Sequence, residues 1–454
     1  MDITVLIPQR PPLVRLVLAA IFFLASTTID ANAFSTVRDA ETESIIREYT
    51  TPIFEAAGLV PKAVNIYLVD DKSLNAFVAG GQNIFIHTGL LLNANSYTDV
   101  VGVLAHETGH IVGGHLARTR DAMSDAQTLG LLTTIVGVGA GILTGSGELA
   151  AAAASGGAHV ATRDFLSFSR AQESAADQAA LRLLDATGTS ARGLAEFLSV
   201  LQDQELVSER HQDPYVRTHP LSRERIDTIE AHLTRSKFSD APPDPALEQR
   251  HRRVRAKVFA YTYPLRTVLN EYPETDQSLE ARYARAFAYY RKPNFDKAQA
   301  SIDALIADYP EDPYFHELKG QIYFEHGKAA EAVASYRKAL EYAPDTALLR
   351  VILAQALIAL EDPTVLPEAE ELLEVSLLAE PRSGFAWRQL AIAYGRQDKL
   401  GQSALALGEE ALIRGRYEDA QFHAKKALGM FPEGSKEWIQ AQDIDAAAQQ
   451  KRSR

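Results

Sequence analysis

Apolar and polar positions divide the chain into three regions. An almost unbroken apolar run, Leu13 to Ala25, follows Arg10, is interrupted only by Arg15, and leads to the small-x-small triplet Ala31-Asn-Ala33. It is shorter than the ~20 apolar residues a bilayer span needs. The order of charge, apolar run and small residues predicts a secretory signal peptide over residues 1–33 and an exported chain from Phe34 onward. Residues 34–238 mix two strand-like runs, Ala63–Val69 and Ile84–Thr88, with stretches of helical period, one from about Thr98 to Arg120. Three prolines in Ser239–Pro245 remove backbone donors and mark a linker, placed at 239–249.

From residue 250 the pattern is helical throughout, and Pro273, Pro310, Pro344 and Pro381 recur at gaps of 37, 34 and 37 residues. Inside that period Gly320, Tyr323, Ala332, Tyr336 and Ala339 fall where a helix-turn-helix repeat needs small residues at the helix crossing and aromatics in the wedge. Ala286, Tyr289, Ala298 and Pro310 repeat this upstream. A short insertion around Val365–Pro367 precedes Ala369, and Ala391, Tyr394, Gly408, Ala420, Ala427 and Pro432 carry it downstream. Residues 250–435 resemble a tetratricopeptide-repeat solenoid, with 436–454 as a C-terminal tail. Such arrays present a surface to partners and carry no chemistry of their own.

Composition narrows the chemistry. At 454 residues, with 46 Lys+Arg against 59 Asp+Glu and a formal charge of -13, the chain is unsuited to neutralising many phosphates, so nucleic acid is not expected as a partner. With no cysteine there is no disulfide, no thiol nucleophile and no thiolate metal ligand. Any metal must be held by His and carboxylate.

His106-Glu-Thr-Gly-His110 lies within the helical stretch beginning near Thr98. Histidines at i and i+4 share a helix face and can grip one ion, and Glu107, about 100° round, can reach water bound to it. A catalytic zinc takes three protein ligands and keeps one position open. The third is expected from Ser169–Asp177, where Glu173 and Asp177 are one turn apart. Glu173 completes a His2Glu set, and Asp177 is placed to accept a hydrogen bond from a ligand histidine.

His106-Glu107-x-x-His110 followed by Glu173-x-x-Ala-Asp177 resembles the M48 family of zinc metallopeptidases. Asn75–Gly81, the strand Ile84–Thr88 and Gly89–Leu91 are similar to the edge-strand segment ahead of its zinc helix, and Thr218-His-Pro220 with Arg225-Ile226 to its downstream His-Pro element. The resemblance implies a mainly α fold with a small β-sheet: a gluzincin-type metallopeptidase domain over 34–238, then the α-solenoid. It implies one zinc on His106, His110 and Glu173, with Glu107 as general base. Asp177 either orients a ligand histidine or donates a proton. For His219 three roles stand open: stabilising the oxyanion, filling zinc's open position to keep the enzyme latent, or capping the loop before the next helix.

With its repeats and signal peptide the chain is similar to periplasmic members of that family. Its expected partners are therefore unfolded or misassembled envelope proteins and, through the repeats, the outer-membrane assembly machinery. The rival reading is a chaperone or scaffold with a latent or structural zinc. His87, His115 and His159 stand without partners at ligand spacing and are read as structural. The glycine-rich apolar segment 129–147 is read as a flap over the cleft, a peripheral contact with membrane or client, or a buried helical hairpin.

Overall fold

Ser96 opens the helix that matters most here. Its side chain and that of Asp99 form a reciprocal capping box at the start of α3, Tyr97–Val112. The structure is a computed structural model that describes residues 36–118, 170–202, 215, 219, 221–292 and 294–453. The expected signal peptide and segment 129–147 lie outside those residues. Helix α3 is buried from Asp99 through His110, polar residues included, as for a helix enclosed on every side.

Around it stand α1 (Ala40–Ala56), α2 (Thr88–Asn93), helical residues 170–187 as α4, α5 (Arg192–Gln202), α6 (Arg223–Leu233) and a four-stranded sheet. The sheet runs β1-β2-β4-β3, with β1 at Thr36–Val37, β2 at Asn65–Val69, β3 at Ala76–Ala79 and β4 at Asn83–His87. β2 and β4 are parallel, with Ile66 opposite Ile84, and β3 returns antiparallel to β4, with Phe77 opposite Phe85. Strand alternation buries Ile84, Ile86, Ala76 and Val78 on one face. On the other, Tyr67, Phe85 and Phe77 form an aromatic ladder with ring centroids 5.0 Å apart at each step. Among the described residues β3 is an edge of the sheet, and it packs on α3.

α7, Pro245–Thr262, begins within the stretch expected as the linker; Asp244 caps it and Pro245 occupies its first turn. It joins the two halves. Glu248 accepts a hydrogen bond from Ser96 Oγ at 2.8 Å, and Arg255 Nε donates to the carbonyl of Leu92 at 2.9 Å. Beyond it the repeats stack as helix pairs, among them Pro313–Glu325 with Ala329–Tyr342 and Gly384–Arg396 with Leu400–Ile413. Gly320 is required at its crossing, since a Cβ there would meet the Tyr336 ring at 2.5 Å. The insertion near Val365 is a 3-10 turn, Pro363–Val365. Residues 436–454, expected as a tail, carry the helix Lys436–Arg452; its Ala441, Ile444 and Ala448 form a helical stripe buried against the last repeat. Among the described residues no helix is long and apolar enough to cross a membrane.

Candidate metal centre

The distant carboxylates reach the histidines because Gly109 lets two helices touch. A Cβ at that position would stand 2.7 Å from the carbonyl oxygen of Ala176, so α3 and α4 approach backbone to backbone within the ligand motif itself. Glu173 on α4 then reaches both imidazoles. Its Oε2 is 3.3 Å from His106 Nε2 and its Oε1 is 3.3 Å from His110 Nε2, while the two Nε2 atoms are 3.1 Å apart. His219, in the loop before α6, places Nδ1 3.4 Å from His106 Nε2 and 3.2 Å from Glu173 Oε2. All four side chains are buried.

This spacing tests whether a cation fits. Bonds of about 2.0–2.1 Å from nitrogen and oxygen to a tetrahedral ion put the corners of the tetrahedron roughly 3.3–3.4 Å apart. The measured separations of 3.1–3.4 Å are those of donor atoms around one such ion. Nitrogen lone pairs facing each other and a carboxylate in a dry interior call for positive charge between them. The electrostatics of the site point the same way. Burial opposes a charge on His106, but hydrogen bonds to Asp177 and Glu173 outweigh it and raise the ring to about 10. Burial, reinforced by charged His106, holds His110 down to about 2. Glu173 is driven well below its ordinary value: burial resists, and His219 and His106 prevail.

Behind these atoms stands a layer of supports. His106 Nδ1 is 2.8 Å from Asp177 Oδ1, and Arg225 from α6 grips Asp177 with Nε at 2.6 Å and Nη2 at 2.9 Å. The same guanidinium places Nη1 3.0 Å from Glu173 Oε2. Asp177 is lowered to about 2, burial being overcome by His106 and Arg225. Tyr215 stacks on His219 with centroids 4.5 Å apart and planes at 24°, and its backbone carbonyl accepts from the His219 N–H at 2.7 Å.

Glu107 differs from all of these. It is fully buried, neither carboxylate oxygen has a hydrogen-bond partner among the described residues, and His219 Nε2 stands 3.5 Å from its Oε1. Burial pushes its carboxyl up from the ordinary value.

The structure thus brings together all six residues that the sequence singled out. It adds three that spacing did not reveal. Arg225 appeared there only within the His-Pro element, Tyr215 not at all, and His115, read as structural, has Nδ1 3.0 Å from Nδ1 of His110. His87, by contrast, has Nδ1 2.9 Å from Ser73 Oγ, away from the cluster.

Residues 37–233 match peptidase family M48, and residues 283–347 and 321–377 match the tetratricopeptide repeat. The chain is 27% identical over 382 residues to a beta-barrel assembly-enhancing protease of Yersinia pestis, covering 80% of this chain and 74% of that one. It is 26% identical over 381 residues, with the same coverage, to the protein of that name from Escherichia coli strain K12. A mitochondrial metalloendopeptidase OMA1 of Schizosaccharomyces pombe is 29% identical over 184 residues, 40% of this chain and 50% of that protein.

Proposed function

Because the chain carries a peptidase family M48 domain ahead of tetratricopeptide repeats, and is a metallopeptidase, we propose that it is a periplasmic zinc endopeptidase. Its substrates are misfolded or stalled envelope proteins, which its repeats recruit directly or by docking on an outer-membrane assembly complex. The observation that carries the hydrolytic reading is the convergence of His106, His110 and Glu173 at tetrahedral spacing beside a buried carboxylate, Glu107, that has no hydrogen-bond partner among the described residues. A purely structural metal site has no use for that carboxylate, whose burial costs free energy.

In this reading His106, His110 and Glu173 hold the ion. Zinc, when bound, supplies a Lewis acid that acidifies a water and polarises the scissile carbonyl. Glu107, its affinity for protons raised by burial, takes the proton of the attacking water and returns it to the leaving amine. Asp177 orients His106 by accepting from Nδ1–H, which presents Nε2 to the ion. The sheet segment Phe77–Ile86, whose β3 packs on the metal helix, is where an extended client segment is expected to lie; this favours unfolded clients over folded ones.

His219 supports a second, compatible state. Its Nδ1 stands with the three ligand atoms, and a site with four protein donors is closed where a catalytic one keeps a position open. Cleavage then requires His219 to yield its corner, and the chain is latent until it does.

The test is metal analysis of the purified protein together with cleavage of an unfolded porin or casein, with and without chelator. Zinc near one per chain and chelator-sensitive cleavage are expected. Bound zinc without cleavage by wild type or a His219→Ala variant would favour the scaffold reading.

A further inference from the structure

A histidine that offers Nε2 to a cation carries its proton on Nδ1, and in a buried site that N–H must be received. For His106 the receiver is Asp177. For His110 no carboxylate stands there among the described residues. Its Nδ1 faces Nδ1 of His115 at 3.0 Å, the two rings edge-on at 81° with centroids 5.0 Å apart. Two ring nitrogens at that distance share one proton, so when His110 donates, His115 accepts and keeps its own proton on Nε2. We propose that His115 is a positioning residue of the metal centre: as the neutral Nε2–H tautomer it accepts the Nδ1–H of His110 and fixes the plane of the second ligand ring.

The local backbone is built for this. α3 ends at Val112, and Gly114, at φ +60°, reverses the chain so that His115 folds back under the last helical turn. Gly113 leaves the space for its ring, since a Cβ there would lie 2.3 Å from His115 Nε2. His115 is 5% exposed. Gln172 Nε2 donates to the His115 carbonyl at 3.3 Å, which ties the turn to α4 one residue before Glu173. The two histidine ligands are therefore braced unequally, one through an ionic Asp177–Arg225 pair and the other through a neutral imidazole.

The proposal rests on the metal-site reading, and its test separates the two. In the full chain, zinc affinity is measured by chelator competition for wild type and the His115→Ala, His115→Asn and His115→Gln variants, with the visible spectrum of the cobalt-loaded proteins and the melting of the metal-free ones. An Asn places its amide oxygen near the position of Nδ1; a Gln places it near Nε2. Expected are a 10- to 100-fold loss of zinc affinity for Ala and Gln, the usual effect of removing such a partner, and recovery by Asn. The cobalt spectrum should shift only in the two weak variants, and metal-free melting should be unchanged in all. Gly113→Ala, which displaces the ring without altering either histidine, should reproduce the Ala result. Unchanged affinity in His115→Ala, or equal recovery by Asn and Gln, overturns the proposal and leaves the metal site standing. A wild-type chain that binds no zinc overturns both.

Discussion

The metal centre and the seam between the peptidase region and the solenoid are both clusters of buried ionisable groups, closed in opposite ways. At the seam Lys257 Nζ stands 2.5 Å from Asp39 and 3.3 Å from Glu41, Arg253 Nε stands 2.5 Å from Glu41 and also grips Asp312, and the Tyr283 hydroxyl donates to Glu41 at 2.8 Å. Arg38 bridges Glu43 at 2.7 Å and Glu380 at 2.9 Å. These acids meet bases within the chain. At the metal centre, nitrogen faces nitrogen and carboxylate at 3.1–3.4 Å. Burial alone therefore does not mark a functional cluster. What marks it is a set of ring nitrogens turned on one another, whose complement comes from outside the polypeptide even though Arg225 answers the two carboxylates.

The largest effect expected of that contrast is on rate. Glu107→Gln should lower cleavage of an unfolded substrate by about 100- to 10,000-fold while metal content per chain stays at the wild-type value. Loss of the metal together with activity would assign Glu107 to holding the site rather than to the chemistry. At the seam the currency is stability. Glu41→Leu strands Arg253 and Lys257 without one of their partners and should cost about 3–5 kcal/mol in urea unfolding, with zinc affinity untouched. Chelation should do the reverse: stability falls by about 2.7 kcal/mol relative to free metal at 100 times Kd, returns on adding metal back, and falls by the same amount in the Glu41→Leu chain. A chelator effect that vanished in the seam variant would mean that the two clusters are coupled and the contrast false.

Much of this was legible before the fold. The helix spacing of His106 and His110, the one-turn spacing of Glu173 and Asp177 and the repeat period all express the 3.6-residue geometry, which a sequence displays directly. His115 was not legible because five residues from His110 is not a helical neighbour. Only the Gly113–Gly114 turn brings it back, and that pair of glycines was the available signal. Arg225 was visible as part of a motif, but its grip on Asp177 crosses 48 residues. The seam joins Glu41 to Tyr283 across 242 residues, and nothing local in either segment announces it. The helix Lys436–Arg452 was missed as structure because its buried stripe is mostly alanine, whose apolar signal is weak.

The smallest effect concerns a seam acid that has no ion pair of its own among the described residues. Glu317, on the helix Pro313–Glu325, is 8% exposed, and its Oε2 has no hydrogen-bond partner among the described residues. Burial pushes its carboxyl up to about 8; Lys257 pulls it down, and Asp39, Glu41 and Glu43 add to the rise. Because the folded value lies above the ordinary 4.5, the native chain holds one more proton than the unfolded chain between those two values. Stability contributed by this group must then fall as pH rises through that window, by at most about 1.4 kcal/mol per pH unit, and level off above pH 8. Glu317→Gln keeps the shape and removes the titration. Urea midpoints compared at pH 6 and pH 7.5 should therefore decline in the wild type relative to the variant, which should be the more stable chain at the higher pH. Parallel midpoints would place an unrecognised base beside Glu317, and the seam would then be complete to its last carboxylate.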